Sequence, residues 1–316
     1  MMRLVIIWCV FSAKNSLAPV LKMHGAIQRS AFSVFSKIVR YGHLPTLLWL
    51  ARGLCALGLL GRNYRRQNAV ATQNYRSLTG QSGRIDAAWI ATQRSLLEMA
   101  ATWGQNPRML RQMAECSAEL DKVVAPLHQQ NIPVVLAPLH AVSDILSGIV
   151  AAGVTPGKAT VVVSSSAEVY NQQAREMGNI ALSYCSIHQD NKQLASSLMS
   201  LIMEVAQGQQ NLIIFPDITP DYTVQTEEGH SSQISCRIFN RPAQLHSGVV
   251  RLSRAVSAQV VFYQLYYQNG LKIHIHEPVG ARKVAAAMPG IIEQSLTEYP
   301  KDWLLWHSHS LFYINH

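Results

Sequence analysis

Charge is scarce in this sequence, and acid is scarcer than base. Only 14% of the 316 residues are charged, and 18 Asp and Glu against 27 Lys and Arg leave a formal charge of +9. With 48% of residues hydrophobic, the chain carries enough apolar surface to offset the entropy of ordering it, which excludes disorder as its dominant state. The five cysteines, at positions 9, 55, 116, 185 and 236, form no Cys-x-x-Cys pair. That scatter excludes zinc-ribbon spacing and fits a reducing compartment. Also missing are a Gly-x-Ser-x-Gly elbow, a Walker sequence, a dinucleotide fingerprint, a low-complexity stretch and any internal repeat.

The excess of base favours a polyanionic partner. The basic residues form no Lys-rich block and do not alternate with aromatics, as platforms for single-stranded nucleic acid do, so a membrane surface is expected and nucleic acid is not. Long apolar runs are lacking too. Leu4 to Phe11, behind Met1-Met2-Arg3, has the outline of a signal peptide but is too short to span a bilayer as a helix. It reads as a short interfacial anchor, or as an over-extended start with Met23 as the alternative, with secretion ranked below both. Leu44 to Leu60 approaches bilayer thickness but contains Arg52, Gly53 and Gly58. A helix lying on the membrane accommodates them better, with Arg62-Asn63-Tyr64-Arg65-Arg66 meeting anionic headgroups. The competing reading is a core helix followed by a solvated basic turn. The expected organisation is a membrane-associating helical segment over 1–66 and an α/β domain over 67–316.

Within that domain the hydrophobic pattern predicts helices over Ala87 to Leu127, Ile145 to Ala152 and Leu194 to Val205. Strands are predicted at Ile132 to Pro138, Ala159 to Val163, Leu212 to Phe215, Gln259 to Tyr267 and Leu271 to His276. Strands alternating with helices imply an α/β fold with a central, mostly parallel or mixed sheet flanked by helices.

His140 stands where the first of these strands gives way to a helical pattern, and Asp144 follows four residues later. At a helix start that spacing puts both side chains on one face. A carboxylate there orients one ring nitrogen and stabilises the imidazolium, while the other nitrogen takes a proton from a hydroxyl. The pair alone has low specificity, since an ordinary surface His–Asp pair has the same spacing. Elsewhere, His274 and His276 alternate with isoleucines and share a strand face, which strand geometry explains without a metal. Ser164 to Ser166 read as a polar loop or helix cap, and His307 and His309, beside Trp303, Trp306 and Phe312, as packing or an interfacial belt.

The segment Val134-Val-Leu-Ala-Pro-Leu-His140, with Asp144 after it, resembles the first motif of the lysophospholipid acyltransferase superfamily, especially its lipid A late acyltransferase branch. In that family four residues normally separate the His from the acid, whereas three do here. Phe215-Pro-Asp-Ile-Thr219 is similar to the family's Phe-Pro-Glu-Gly-Thr block, with Asp for Glu, Ile for Gly, and Pro220 where an Arg usually follows. Cys236 to Val261, with Pro242-Ala243 and Ser247-Gly248, is similar to a third block. Pro300-Lys-Asp-Trp-Leu-Leu-Trp-His307 resembles the branch's closing segment. The order of these blocks over residues 40 to 310 carries more weight than any one of them.

The resemblance implies an enzyme that moves an acyl group from a carrier-protein or CoA thioester to a hydroxyl of a membrane glycolipid such as lipid A. His140 and Asp144 are then the expected catalytic pair, and Asp217, Thr219, Arg237, Arg241 and Ser247 the expected substrate-binding residues. Backbone N–H groups at the helix start are expected to hold the oxyanion, and Arg237 and Arg241 a phosphate or a carrier's phosphopantetheine. Arg251 and Arg254 are weaker candidates. No metal or other cofactor is implied. The implied location is the cytoplasmic side of the inner membrane, monotopic or peripheral. Two alternatives stay open: transfer of an aminoacyl group such as glycyl from a carrier protein to lipid A, and a non-catalytic lipid-binding protein on the same scaffold.

Overall fold

The computed structural model describes residues 33–163, 182–186, 191–218 and 233–308. The first apolar run, Ser164 to Ser166, Thr219, His309 and Phe312 lie outside the described residues. The helices are α1 (33–41), α2 (Leu44–Leu57), α3 (Gln67–Thr79), α4 (Ala87–Ala101), α5 (Pro107–Gln129), α6 (Asp144–Ala152), α7 (Asn191–Ala206), α8 (Gly248–Ala255) and α9 (Val284–Glu298). The strands are β1 (Val134–Pro138), β2 (Ala159–Val163), β3 (Leu182–Ser186), β4 (Asn211–Ile213), β5 (Gln233–Ile238), β6 (Arg241–His246), β7 (Gln259–Tyr267), β8 (Leu271–Ile275) and β9 (Val279–Gly280).

The architecture is α/β with a mixed central sheet between helices. Among the described residues this sheet runs β3-β2-β4-β1-β7-β8, with β9 also paired to β7, and β5-β6 form a separate hairpin. Strands β3, β2, β4, β1 and β7 are parallel to their neighbours. The return of β8 and β9 against β7 is antiparallel and makes the sheet mixed.

Strand β1 is central and wholly buried, which is why its sequence is an unbroken apolar run rather than an alternation. Its side chains nevertheless divide by the strand's period of two. Val134 and Leu136 pack with Leu120 and Val124 of α5 and Leu146 and Val150 of α6. Val135 and Ala137 face Leu201 and Val205 of α7, Val249 and Val250 of α8 and Ile292 of α9. Burial on both faces fixes the register of β1, and with it the point at which the chain leaves the sheet.

Local chemistry sets several of the element boundaries. The helices expected over Ala87 to Leu127 are α4 and α5, divided where Asn106 caps a new start and Pro107 occupies its first turn. Helix α2 ends at Leu57, three residues early, where Gly58 takes φ 78° and its N–H returns to the Cys55 carbonyl. Strand β4 stops at Ile213. The Ile214 N–H still bonds to the Leu136 carbonyl, but Pro216 has no N–H to continue the ladder.

Helix α2 buries Leu44, Leu48, Ala51 and Cys55 and packs on α4. Its other side, with Trp49 73% exposed and Leu57 76% exposed, is continuous in sequence with exposed Phe35, Ile38 and Tyr41 of α1 and with Leu59 and Leu60. Among the described residues no helix is long and apolar enough to cross a membrane.

Asn106 ties this N-terminal pair to the body. Its buried side chain donates to the carbonyls of Val39, Arg40 and Gly42 and accepts from the N–H groups of Arg108 and Met109. Asn106→Ala removes a cap worth about 1 kcal/mol and leaves buried acceptors unpaired at about 1–3 kcal/mol, so the expected loss of stability is about 2–4 kcal/mol. Urea unfolding checks the magnitude, and hydrogen exchange over 33–57 should quicken. An unchanged midpoint contradicts this role.

Candidate active site

The chain leaves the sheet after Pro138. The Leu139 N–H still bonds to the Tyr263 carbonyl, and the next residue, His140, stands beyond the carboxyl end of β1. Between His140 and α6 lies a bent loop in which Val142 adopts φ 61°, a conformation that a β-branched residue takes only when held there. Here the Val142 N–H bonds to the Asp302 carbonyl and the Ser143 N–H to the Ala141 carbonyl. Helix α6 then begins at Asp144, capped by Ser143, whose hydroxyl accepts from the Leu146 N–H.

His140 is therefore not on the helix, and the argument that spacing puts it on one helical face with Asp144 fails. The carboxylate that holds its ring is Asp217, from the loop after β4. Asp217 Oδ1 lies 2.8 Å from His140 Nδ1, and Oδ2 accepts the His140 backbone N–H at 2.9 Å. Trp303 Nε1 donates to the same Oδ2 at 2.7 Å. Asp217 is fully buried, while the His140 side chain keeps 17% exposure. Phe215 packs over the imidazole with ring centroids 4.3 Å apart.

A carboxylate only accepts, so the shared proton of neutral His140 belongs on Nδ1 and the Nε2 lone pair is left available. Nε2 makes no hydrogen bond among the described residues. Burial alone pushes the imidazole pKa down. The charge and hydrogen bond of Asp217, with Asp144 adding and Arg94 opposing, outweigh it and leave the pKa above the ordinary histidine value. The arrangement has the parts of an oriented general base: a fixed ring, a buried counter-charge and an unengaged nitrogen.

Asp144 has a different place. It pairs with Arg94 of α4, whose Nε also bonds to Glu98, and Glu98 accepts the Ser143 hydroxyl at 2.6 Å. This ionic group pins the start of α6 to α4, and Asp144 acts on His140 through its charge. Arg94 and Glu98 also line a cavity of about 340 Å3 whose walls include Ile85, Ile90, Leu304 and Trp306. The cavity adjoins the histidine loop, because the N–H of Leu304 donates to the His140 carbonyl. The N–H groups of Val142, Ser143 and Leu146 are engaged within the protein, so these three do not form the oxyanion site expected at the helix start.

The remaining candidates divide. Asp217, expected to touch substrate, lies beneath the histidine instead. Ser247 is buried at the start of α8, and its hydroxyl has no protein partner among the described residues. Arg237 and Arg241 flank the turn of the β5-β6 hairpin, where Arg237 bonds to the Asn240 carbonyl and Arg241 to Ser77 of α3. Arg254 lines a separate cavity with Gln259, Arg282 and Lys283 at the opening of β7, the end of the sheet opposite His140. His274 and His276 stack edge to face, and His276 meets Ser295 of α9. Among the described residues no group of three or more metal-ligating side chains converges. Phe215 was visible as a member of a sequence block and Trp303 also as a packing or interfacial aromatic, and nothing in their spacing marks them as partners of His140 and Asp217.

Compared with models of known families and with curated protein sequences, the chain gives no match.

The raised pKa of His140 has a defined pH signature. Protonated His140 stabilises the fold fully below its unfolded pKa of about 6.5, and the contribution disappears as pH rises through the higher folded value. The stability gap between the wild type and Asp217→Asn should therefore be widest in mild acid. It should narrow above the folded pKa to a residue set by the altered hydrogen bonds. Urea midpoints measured across pH check this, and a gap constant with pH contradicts it.

Proposed function

We propose that the protein is an acyltransferase that moves an acyl group from a thioester donor, on a carrier protein or CoA, to a hydroxyl of a membrane glycolipid. The observation that carries this reading is the buried Asp217 holding His140 by Nδ1, at the carboxyl end of the central strand and beside a cavity. The sequence blocks that resemble the lysophospholipid acyltransferases contribute this pair: one supplies His140, another Asp217.

In the proposed reaction Nε2 of His140 takes the proton of the acceptor hydroxyl as its oxygen attacks the thioester carbonyl. Asp217 stabilises the imidazolium that forms. The tetrahedral intermediate collapses with cleavage of the C–S bond, and the imidazolium returns the proton to the departing thiolate. An ester and a free thiol result, and His140 is neutral again. The cavity of about 340 Å3, apolar at Ile85, Ile90, Leu304 and Trp306 and polar at Arg94 and Glu98, falls in the range of small-ligand pockets.

The acceptor's proposed location gives the exposed face of α1 and α2 a use. Phe35, Ile38, Trp49, Leu54 and Leu57 are exposed, and Lys37, Arg40 and Arg62 lie nearby in sequence. An apolar surface with basic residues beside it suits the interface of an anionic bilayer. In this reading the protein attaches to the cytoplasmic side of the inner membrane without crossing it.

Mass spectrometry of membrane lipids from cells with and without the active gene tests the function. A mass increase matching a fatty acyl group is expected with the wild type, and His140→Ala should lower the yield at least ~10²-fold, the usual scale of general-base catalysis. A glycyl-sized increase supports aminoacyl transfer instead. No change under expressing conditions contradicts both. Asp217→Asn should follow His140→Ala closely, while Asp144→Asn, whose charge acts at longer range, should lose less.

Membrane attachment is tested by fractionation. The protein should sediment with membranes and be released substantially by high salt or an alkaline wash, because screening weakens its basic contacts. Extraction by detergent alone contradicts a peripheral location.

A further inference from the structure

The segment after α9 straps the histidine loop. Ala141 and Trp303 form an antiparallel bridge, the Leu304 N–H donates to the His140 carbonyl at 2.9 Å, and the Val142 N–H to the Asp302 carbonyl at 2.8 Å. The strap is itself held. Trp303 meets Trp306 edge to face at 4.7 Å, Trp306 meets Tyr75 of α3 at 5.2 Å, and Asn74 donates to the carbonyls of Trp306 and Ser308. Trp303 is 2% exposed, so its indole has a fixed site and a fixed direction.

An indole has one donor and no acceptor, and this one is spent on Asp217 Oδ2. That oxygen also receives the His140 backbone N–H, whereas Oδ1 meets the imidazole alone. Two N–H groups on one oxygen oppose rotation of the carboxylate about its Cβ–Cγ bond, and rotation is what would turn Oδ1 away from the ring.

We propose that Trp303 is a positioning residue for His140: its N–H fixes the rotation of the Asp217 carboxylate, which in turn holds the imidazole as the Nδ1–H tautomer with Nε2 bare. The inference rests on His140 being the base of the proposed transfer, and it gives the closing Trp segment a chemical part in that site. Trp303 touches no reacting atom and acts through Asp217. The charged groups that bear on the ring are Asp217 from the loop after β4, Asp144 at the start of α6 and Arg94 of α4. Against that fixed background the positive end of the indole N–H dipole offsets part of the Asp217 charge. Its removal should let the carboxylate hold the imidazolium more tightly and loosen the neutral tautomer.

The test is nuclear magnetic resonance of the full chain with 13C- and 15N-labelled histidine, His140 being assigned by the loss of its signals in His140→Gln. The wild type should show the neutral ring as Nδ1–H. In Trp303→Phe the Nδ1–H fraction should fall and the titration midpoint should rise by about one pH unit, tenfold in the proton equilibrium. Benzothienylalanine at 303, which keeps the bicyclic ring but lacks the N–H, should give the same result and decides the matter if the Phe variant does not fold. Trp306→Phe, which disturbs the same aromatic cluster without touching Asp217, should move neither quantity. An unchanged tautomer and midpoint in the benzothienylalanine protein overturns the proposal, as does an equal effect of Trp306→Phe. These readouts need no turnover. Failure of the base assignment is seen separately, as full transfer by His140→Ala.

Discussion

A carboxylate taken out of water must be surrounded by donors or it destabilises the fold, and Asp217 is taken out completely. Its donors come from two distant parts of the chain: the backbone and ring of His140, beyond the central strand, and the indole of Trp303, after the last helix. Satisfying this one group therefore closes the site. The loop after β4 supplies the charge, β1 aims the imidazole, and the final segment locks both. The strained Val142 conformation fits the same scheme, since its N–H is held by the neighbour of Trp303.

Around that contact the fold keeps roles apart. Strand β1, buried on both faces, has one register and so one point of exit. Arg94, Glu98, Ser143 and Asp144 hold the start of α6 against α4, and Arg94 and Glu98 also line the cavity. The same α4 packs against the buried side of α2, whose opposite side carries the exposed aromatic and aliphatic residues. A surface suited to a bilayer and a cavity suited to a ligand thus share one supporting helix.

Much of the scaffold was legible in the sequence. Ile132 to Pro138 read as a short buried strand and Gln259 to Tyr267 as a further strand because their apolar residues cover both sheet faces, and the α/β alternation followed. Helix ends were less legible where a cap set them: Asn106 and Gly58 act through single bonds that hydrophobic periodicity does not register. The place of His140 just after a strand was legible, and the family resemblance of Val134 to His140 singled it out. Its partner was not, because spacing along the chain exposes only local pairs. Asp144 is four residues away but lies on a helix that His140 precedes, whereas Asp217 is 77 residues away and is brought in by pairing of β1 with β4. Trp303, farther still, read as packing or an interfacial belt because its aromatic bulk is evident in sequence and the target of its N–H is not.

The central claim is that His140 and Asp217 act as one catalytic unit, and groups that act as a unit give non-additive losses. The direct measurement is a double-mutant cycle: single-turnover transfer rates for the wild type, His140→Ala, Asp217→Asn and the double variant, using the thioester donor that the lipid masses identify. Once the imidazole is gone its orienting carboxylate has nothing to orient, so the double variant should transfer about as slowly as His140→Ala alone. Losses that multiply, with the double variant slower by the full product of the two single effects, would contradict the account.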